Sequence, residues 1–201
     1  MKTIEEAIKI IQSHGGTIRT SDAINAGIAP KTFYSMRDQG ILIRLSRGLY
    51  HLAEAPSFGN PDLVAVSIRY PKAIICLISA LDYYNLTEQI PFFVYIALPR
   101  NSEMPRIEHP PLQIFWLSDK FYQAGIQNVT IDNQLVKIYY PEKTIADCFK
   151  FRNKIGLDVA IDALKNYIDQ PNKEKDFNAL MEYAELNRVD KIMMPYMESL
   201  L

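Results

Sequence analysis

The sequence predicts an α+β protein that begins with a winged helix-turn-helix, continues as a mixed α/β domain and ends in a helical region. Three observations support this fold class. Glycines and prolines divide the N-terminal part into short segments, aromatic and β-branched runs at residues 92–98 and 112–117 are typical of strands, and helical periodicity follows Pro141. We expect a boundary near AEAPSFGNPD, between an N-terminal domain at residues 1–58 and a C-terminal domain at residues 59–201.

The N-terminal domain is predicted to begin with two helices. Isoleucines recur on one face of the first, residues 3–14, while charged side chains occupy the other face. For the second, residues 21–26, we expect the hydroxyl of Thr20 or Ser21 to accept a hydrogen bond from an unpaired backbone N–H. Gly27 provides the permissive backbone that ends this helix.

A third helix is predicted at residues 30–39, because the fixed φ of Pro30 suits a first helical turn and Gly40 suits a stop. Phe33 and Met36 are three residues apart and are expected to face the core together. The opposite face carries side chains that can donate hydrogen bonds to phosphates or base edges. They are Lys31, Thr32, Tyr34, Ser35 and Arg37.

The following sequence, ILIRLSRGLYHL, predicts the β-ribbon that forms a wing. Arg44 and Arg47 interrupt its apolar residues, and Gly48 permits a tight turn. Each of these features also occurs in proteins that bind no nucleic acid. Their order and spacing favour duplex DNA as the partner.

The charge distribution is compatible with this hypothesis, although the net charge of the chain is −1. Residues 1–58 hold seven basic and five acidic residues, whereas residues 59–201 hold fifteen and eighteen. Residues 19–51 contain five basic residues and two acidic ones. The N-terminal domain can therefore attract phosphates locally, and we expect the acidic remainder to lie away from DNA.

The C-terminal domain is predicted to contain a mixed sheet and several helices. Helices are expected at residues 61–69 and 79–85, and a hairpin turn at Asp132 and Asn133. Four helices are expected after Pro141. Methionines recur in the last two of these helices. Core packing is the favoured explanation, and a partner-binding face is the alternative.

Several function classes are disfavoured by composition. The apolar runs are shorter than the ~20 residues of a membrane-spanning helix, so a soluble cytoplasmic protein is expected. Cys76 and Cys148 are far apart in sequence and are expected to be reduced. The histidines are scattered, so we expect no metal site and no cofactor.

The sequence also offers no evident catalytic machinery. It contains neither Asp-x-Asp nor Gly-Ser, which a nucleotidyltransferase would use to hold metal and nucleotide, and it has no phosphate-binding loop. Ser79, Asp82 and His109 are residue types of a hydrolytic triad, but no spacing supports that assignment, and Ser79 is interpreted as a helix cap. We therefore expect a protein that is not an enzyme.

The sequence resembles the AbiEi family of transcriptional regulators, the antitoxins of type IV toxin-antitoxin systems. The resemblance rests on AINAGIAPKTFYSMRDQGILIRLSRGLYHL, on the central IALPR and on YYPEKTIADCFKFRNKIGLDVAIDAL. It implies an operator-binding winged helix-turn-helix, an antitoxin domain of mixed α and β structure, and a nucleotidyltransferase-like toxin as functional or physical partner. The positions that match the DNA-contacting basic residues are Lys31, Arg37, Arg44 and Arg47, with Arg19 as a weaker candidate.

Two charged stretches within this resemblance are assigned no nucleic-acid role. The loop NSEMPRIEHPP contains Arg106 beside Glu103 and Glu108, so we expect a solvated loop, and Arg100 before it is a weak candidate for partner contact. In PEKTIADCFKFR the charges are interpreted as the polar face of a helix, where ion pairs contribute little. These charges are Glu142, Lys143, Asp147, Lys150 and Arg152.

Two alternatives to the autorepressor remain open. A protein-interaction module with a purely structural helix-turn-helix could neutralise a toxin by direct contact. A stand-alone winged-helix transcription factor is the other alternative. Co-purification with the product of the adjacent gene, together with absent operator binding, would favour the interaction module. If the adjacent reading frame encodes no nucleotidyltransferase-like protein, the antitoxin hypothesis loses support.

Overall fold

The computed structural model describes residues 2–54, 60–107, 109–131, 134–171 and 174–200, without the side chain of Ser46. The chain is a mixed α+β protein, as predicted, and it forms two compact units. The first unit comprises residues 1–69, 106–110 and 130–136, and the second comprises the remaining residues. The predicted boundary between residues 58 and 59 lies outside the described residues and stays a prediction.

The first unit combines short helices with a three-stranded antiparallel sheet. Its elements are α1 (Ile4–Ser13), β1 (Thr17–Arg19), α2 (Thr20–Asn25), α3 (Pro30–Asp38), β2 (Leu42–Ser46), β3 (Leu49–Leu52) and α4 (Pro61–Arg69). The strand order is β1-β3-β2, so β3 lies in the centre of the sheet and β2 forms one edge. Its register shifts between Arg44 and Ser46.

Local sequence explains most of these boundaries. Thr3 accepts a hydrogen bond from the Glu6 backbone, and the Glu6 side chain accepts one in return, which is a capping box at α1. The cap predicted for α2 is wrong: the helix begins at Thr20 itself, after Arg19, and no side chain caps it. Gly48 adopts a φ of 76°, which allows the chain to reverse between β2 and β3.

The core of the first unit lies between its helices and one face of the sheet. Phe33 and Met36 are fully buried on α3, as predicted from their spacing. The other fully or nearly buried members of this core are Ala7, Ile11, Ile18, Ala23, Ile28, Leu42, Tyr50 and Leu52. α3 is therefore fixed by its apolar face, and its polar face stays accessible.

The second unit contains most of a five-stranded mixed sheet, as the sequence predicts. Its strands are β4 (Ile74–Ile75), β5 (Val94–Pro99), β6 (Leu112–Leu117), β7 (Ile126–Ile131) and β8 (Gln134–Tyr139), in the order β6-β5-β4-β8-β7. β5 pairs in parallel with β6 and antiparallel with β4, and β4 pairs in parallel with β8. The turn predicted at Asp132 and Asn133 lies outside the described residues.

Helices complete the second unit. They are α5 (Leu77–Tyr83), α6 (Asp119–Gln123), α7 (Pro141–Lys150), α8 (Arg152–Ile155), α9 (Leu157–Asp169), α10 (Phe177–Asn187) and α11 (Asp190–Leu200). α7 packs against α5, α9 and α10. The methionine stripe belongs to this core, because Met193 is fully buried and Met181 and Met197 pack against the same cluster. No helix among the described residues is long and apolar enough to cross a membrane.

Ser79 does not cap a helix, contrary to the sequence interpretation. α5 begins two residues earlier, at Leu77, so Ser79 lies inside the helix and is buried. Its hydroxyl donates to the carbonyl of Phe93 and accepts from the backbone N–H of Tyr95. The residue thus connects α5 to β5.

Candidate nucleic-acid interface

The exposed face of α3 carries the side chains that the sequence assigns to it. Lys31 is exposed, Tyr34 is 40% exposed, and Thr32 and Ser35 are half-buried. The amide of Gln39 donates to the Ser35 hydroxyl over 2.8 Å, which orients that hydroxyl. Because the buried face anchors the helix, these donors lie on its accessible face, from Lys31 in the first turn to Ser35 just past the middle of the helix.

Arg37 is less available than the sequence suggests. Its guanidinium lies 2.7 Å from a carboxylate oxygen of Asp38, and it lies 5.0 Å from the centre of the Tyr34 ring. The hydrogen bond to Asp38 raises the pKa of Arg37 above its usual range. Asp38 therefore offsets part of the positive charge that Arg37 would offer to a phosphate, an effect that sequence reasoning missed.

The β2–β3 hairpin supplies two further predicted residues. Arg44 and Arg47 are both exposed, Arg44 on β2 and Arg47 in the turn that precedes Gly48. Arg19 is half-buried on β1, where it lies opposite Leu49 of β3. The sheet thus places three arginines from two separate segments on one small structure.

Two cavities bring further arginines to this region. One of about 180 Å³ is lined by Arg19, Thr20, Ser21, Arg47, Gly48, Leu49, Ile68 and Arg69. The other, of about 600 Å³, is lined by Arg44, Leu45, Arg47, Arg69, Arg106, Ile107 and His109. We call the two together the arginine cleft. All of these residues belong to the first unit.

Sequence reasoning missed Arg69 and Arg106 as members of this cleft. Arg69 ends α4, and Arg106 lies in the loop that was expected to be merely solvated. Only tertiary structure brings them beside the hairpin, because they are far from it in sequence. Arg100, the weak candidate for partner contact, is exposed in the second unit at the end of β5.

The interpretation of the α7 charges as a polar face is wrong for three of the five. Lys143 and Asp147 are 0% and 2% exposed, and Glu142 is 9% exposed. The Lys143 ammonium lies 2.5 Å from Asp147 Oδ2, and the Asn187 amide donates to Asp147 Oδ1 over 2.8 Å. Helices cover α7 on several sides, so these charges form an internal network and are not accessible to a ligand.

Catalytic chemistry finds little support in the geometry. The Ser79 hydroxyl is engaged by two backbone groups, and His109 Nε2 lies 3.9 Å from Asp62. These are not the partners that a Ser-His-Asp triad requires. Within the described ranges, no group of three or more His, Cys, Asp or Glu side chains could hold a metal ion.

Comparison with known proteins matches the N-terminal segment of the chain to a family model. Residues 5–53 match the family model described as "Transcriptional regulator, AbiEi antitoxin". The match confirms the resemblance seen in the N-terminal motif and supports a regulator or antitoxin role, in a family of regulators and not of enzymes. The IALPR and PEKTIADCFKFR motifs lie outside the match.

A solved structure resembles the whole chain. The RV2827C protein from Mycobacterium tuberculosis aligns with a TM-score of 0.57 and 12% sequence identity, over 96% of this chain and 80% of that chain. At this level of identity the likeness concerns the fold alone. No curated protein sequence gave a match.

Proposed function

We propose that this protein is a DNA-binding autorepressor and antitoxin. In this proposal residues 1–58 act as a winged helix-turn-helix, and residues 59–201 antagonise a nucleotidyltransferase-like toxin encoded beside it. One observation carries the regulatory half: the segment that matches the AbiEi family, residues 5–53, coincides with the helices and hairpin that present the cationic residues. The antitoxin half rests on the family match and on the sequence motifs of residues 59–201.

α3 is proposed as the recognition helix. A helix with side chains is about 10–12 Å wide, which fits a major groove about 12 Å wide. Its N-terminal half would enter the groove, where Lys31 and Thr32 reach bases or phosphates and Tyr34 and Ser35 provide hydroxyl groups. Arg37 would contact phosphate only by exchanging its contact with Asp38.

The β2–β3 hairpin is proposed as the wing. Arg44 and Arg47 are exposed on it and would contact the phosphate backbone, with Arg19 contributing from the neighbouring part of the sheet. Contacts of this kind fix the register of a protein on DNA without specifying sequence. The hairpin arginines should therefore affect affinity for every duplex, whereas α3 should affect preference among sequences.

Binding to the upstream region of the protein's own operon tests the regulatory half. Fluorescence anisotropy with that region and with a random duplex of equal length, across a salt series, should show preference for the upstream region. Replacing Arg44 or Arg47 by Ala should weaken binding to both duplexes, and Lys31→Ala should reduce the preference. Lys9→Ala, an exposed change on α1, is the matched control and should have no effect. Equal affinity of the wild-type protein for both duplexes would reject this function.

Direct neutralisation of a toxin is a second candidate, favoured by an exposed apolar segment. Ile90 and Phe92 in the second unit are 92% and 80% exposed, and the Phe92 ring packs edge-on against Phe93 at 5.0 Å. Exposed apolar groups in one segment are typical of protein contact surfaces. Co-purification with the adjacent gene product that is lost in Phe92→Ser, together with no operator preference, would establish this function in place of autorepression.

A further inference from the structure

We propose that Arg69 and Arg106, both outside the segment that matches the regulator family, complete a phosphate-binding cleft beside the β2–β3 hairpin, and that this cleft holds the backbone of duplex DNA. This inference rests on the proposed function, because it extends the DNA interface beyond the helix-turn-helix and the hairpin. It assigns a role to two residues that the sequence leaves without one.

The cleft gathers guanidinium groups from four separate segments of the chain. They are Arg19 from β1, Arg44 and Arg47 from the hairpin, Arg69 from the end of α4 and Arg106 from the loop before β6. Arg44, Arg47, Arg69 and Arg106 are all exposed. Arginine is suited to phosphate because its planar guanidinium can donate two parallel hydrogen bonds to one phosphate group.

The lining of the cleft is rich in positive charge. Among the described residues that line the two cavities, five are arginines and none is acidic. The Asp62 carboxylate approaches the lining at His109, where its Oδ1 lies 3.9 Å from Nε2, and both side chains are largely exposed. Several like charges that converge on one solvent-filled cleft attract a multivalent anion strongly.

The form of the cleft favours a polymer over a small phosphorylated molecule. The two cavities share Arg47 and Arg69, so they adjoin and extend the row of arginines from Arg19 to Arg106. Their described lining contains no Phe, Tyr or Trp on which a single nucleobase could stack. A row of guanidinium groups without a base platform matches successive phosphates along a strand.

The salt dependence of binding to a random duplex tests the cleft without requiring an operator. Each lost phosphate contact should reduce the magnitude of the negative slope of log K against log salt by about 0.9. It should also reduce the affinity at 0.1 M salt by about eight-fold. Arg69→Ala and Arg106→Ala should each show this loss. Lys9→Ala is the matched control on α1, and it should keep the wild-type slope.

Lysine substitutions separate charge from fold. Arg69→Lys and Arg106→Lys keep the positive charge and should retain the wild-type slope. If the arginines had only a structural role, the lysine variants would lose as much slope as the alanine variants. Thermal unfolding of each variant identifies any loss of fold. If the alanine variants keep the wild-type slope, or if the lysine variants lose as much slope as the alanine ones, the proposal is overturned.

Calorimetry with inorganic pyrophosphate tests the small-molecule source of phosphate. Saturable one-to-one binding of pyrophosphate with a Kd below about 1 mM that depends on Arg106, combined with an unchanged DNA slope in Arg106→Ala, would overturn the proposal in favour of a soluble ligand. The outcomes for the two proposals differ. A cleft-dependent slope without operator preference would reject only the regulatory function, operator preference with unchanged slopes would reject only the cleft, and absence of DNA binding would reject both.

Discussion

Replacing Asp147 by Asn should strongly destabilise the second unit, because it removes the partner of a buried charge. Lys143 is 0% exposed, and its ammonium donates to Asp147 Oδ2 over 2.5 Å. Asparagine keeps the shape of the side chain and an oxygen that can still accept from the Asn187 amide. The variant therefore isolates the loss of negative charge from the loss of packing.

The magnitude follows from the two ways in which the variant can keep Lys143 buried. If the ammonium stays charged and unpaired, the free energy of unfolding falls by about 3–5 kcal/mol. If the ammonium releases its proton, the cost is set by the usual lysine pKa of about 10.4 and amounts to about 4.6 kcal/mol at pH 7. The smaller of the two costs applies, so we expect a loss of about 3 to 4.6 kcal/mol at pH 7.

The loss should decrease as the pH rises, and the sign can be checked. Once the buried lysine is neutral in the variant, the folded state binds one proton fewer than the unfolded state, so stability rises with pH by about 1.4 kcal/mol per unit. At pH 8.5 the cost of deprotonation is only about 2.6 kcal/mol. The expected loss in the variant is therefore smaller at pH 8.5 than at pH 7.

Urea unfolding followed by the fluorescence of Trp116 measures these changes. Trp116 is the single tryptophan of the chain and lies in β6, so its signal reports the second unit. Asp162→Asn, at an exposed position of α9, is the matched control and should change stability by less than about 0.5 kcal/mol. A loss below about 1 kcal/mol at pH 7, or an equal loss at pH 7 and pH 8.5, would refute this account of the pair.

Two further predictions also concern the free energy of unfolding. Gly125→Ala should lower the free energy of unfolding by clearly more than the roughly 1 kcal/mol expected for Gly40→Ala. Both glycines have φ above 70°, but only at Gly125 would the new Cβ meet Lys143 atoms, at 2.8 and 2.9 Å. Equal losses for the two variants, measured by circular dichroism, would contradict this close approach. Burial raises the pKa of the Cys76 and Cys148 thiols. The stability that these thiols contribute should therefore be fully present below about pH 8.5 and should fall above it by about 1.4 kcal/mol per pH unit for each thiol. Cys148→Ala should halve this slope, and an unchanged slope in that variant would contradict the prediction.

The sequence predicts the elements whose causes are local. Pro30 and Gly40 delimit α3 to within two residues, and the three-residue spacing of Phe33 and Met36 places both in the core. These features depend on backbone preferences and helical periodicity, which act between neighbours. By contrast β1 is only three residues long, and it exists because β3, more than thirty residues later, provides its hydrogen-bond partners.

The α7 charges show why sequence periodicity fails for buried polar residues. The apolar residues Ile145, Cys148 and Phe149 are buried, but Lys143 and Asp147 are buried as well. A polar residue is assigned to the solvent side unless its partner is known. Here part of the network comes from Asn187, forty residues away, and no pattern within α7 indicates it.

The arginine cleft fails to appear in the sequence for the same reason, and it changes how the net charge bears on DNA binding. At physiological salt, exposed charges farther apart than about 8 Å are largely screened from each other. In the proposed complex with a duplex, affinity depends on the guanidinium groups that would reach phosphates, and the net charge of −1 for the chain carries little weight. Arg69 and Arg106 line the same cavity as Arg44 and Arg47 and add to the positive charge there. Counting charge along the sequence assigns them to the acidic remainder, whereas the fold places them in the first unit, together with the hairpin arginines.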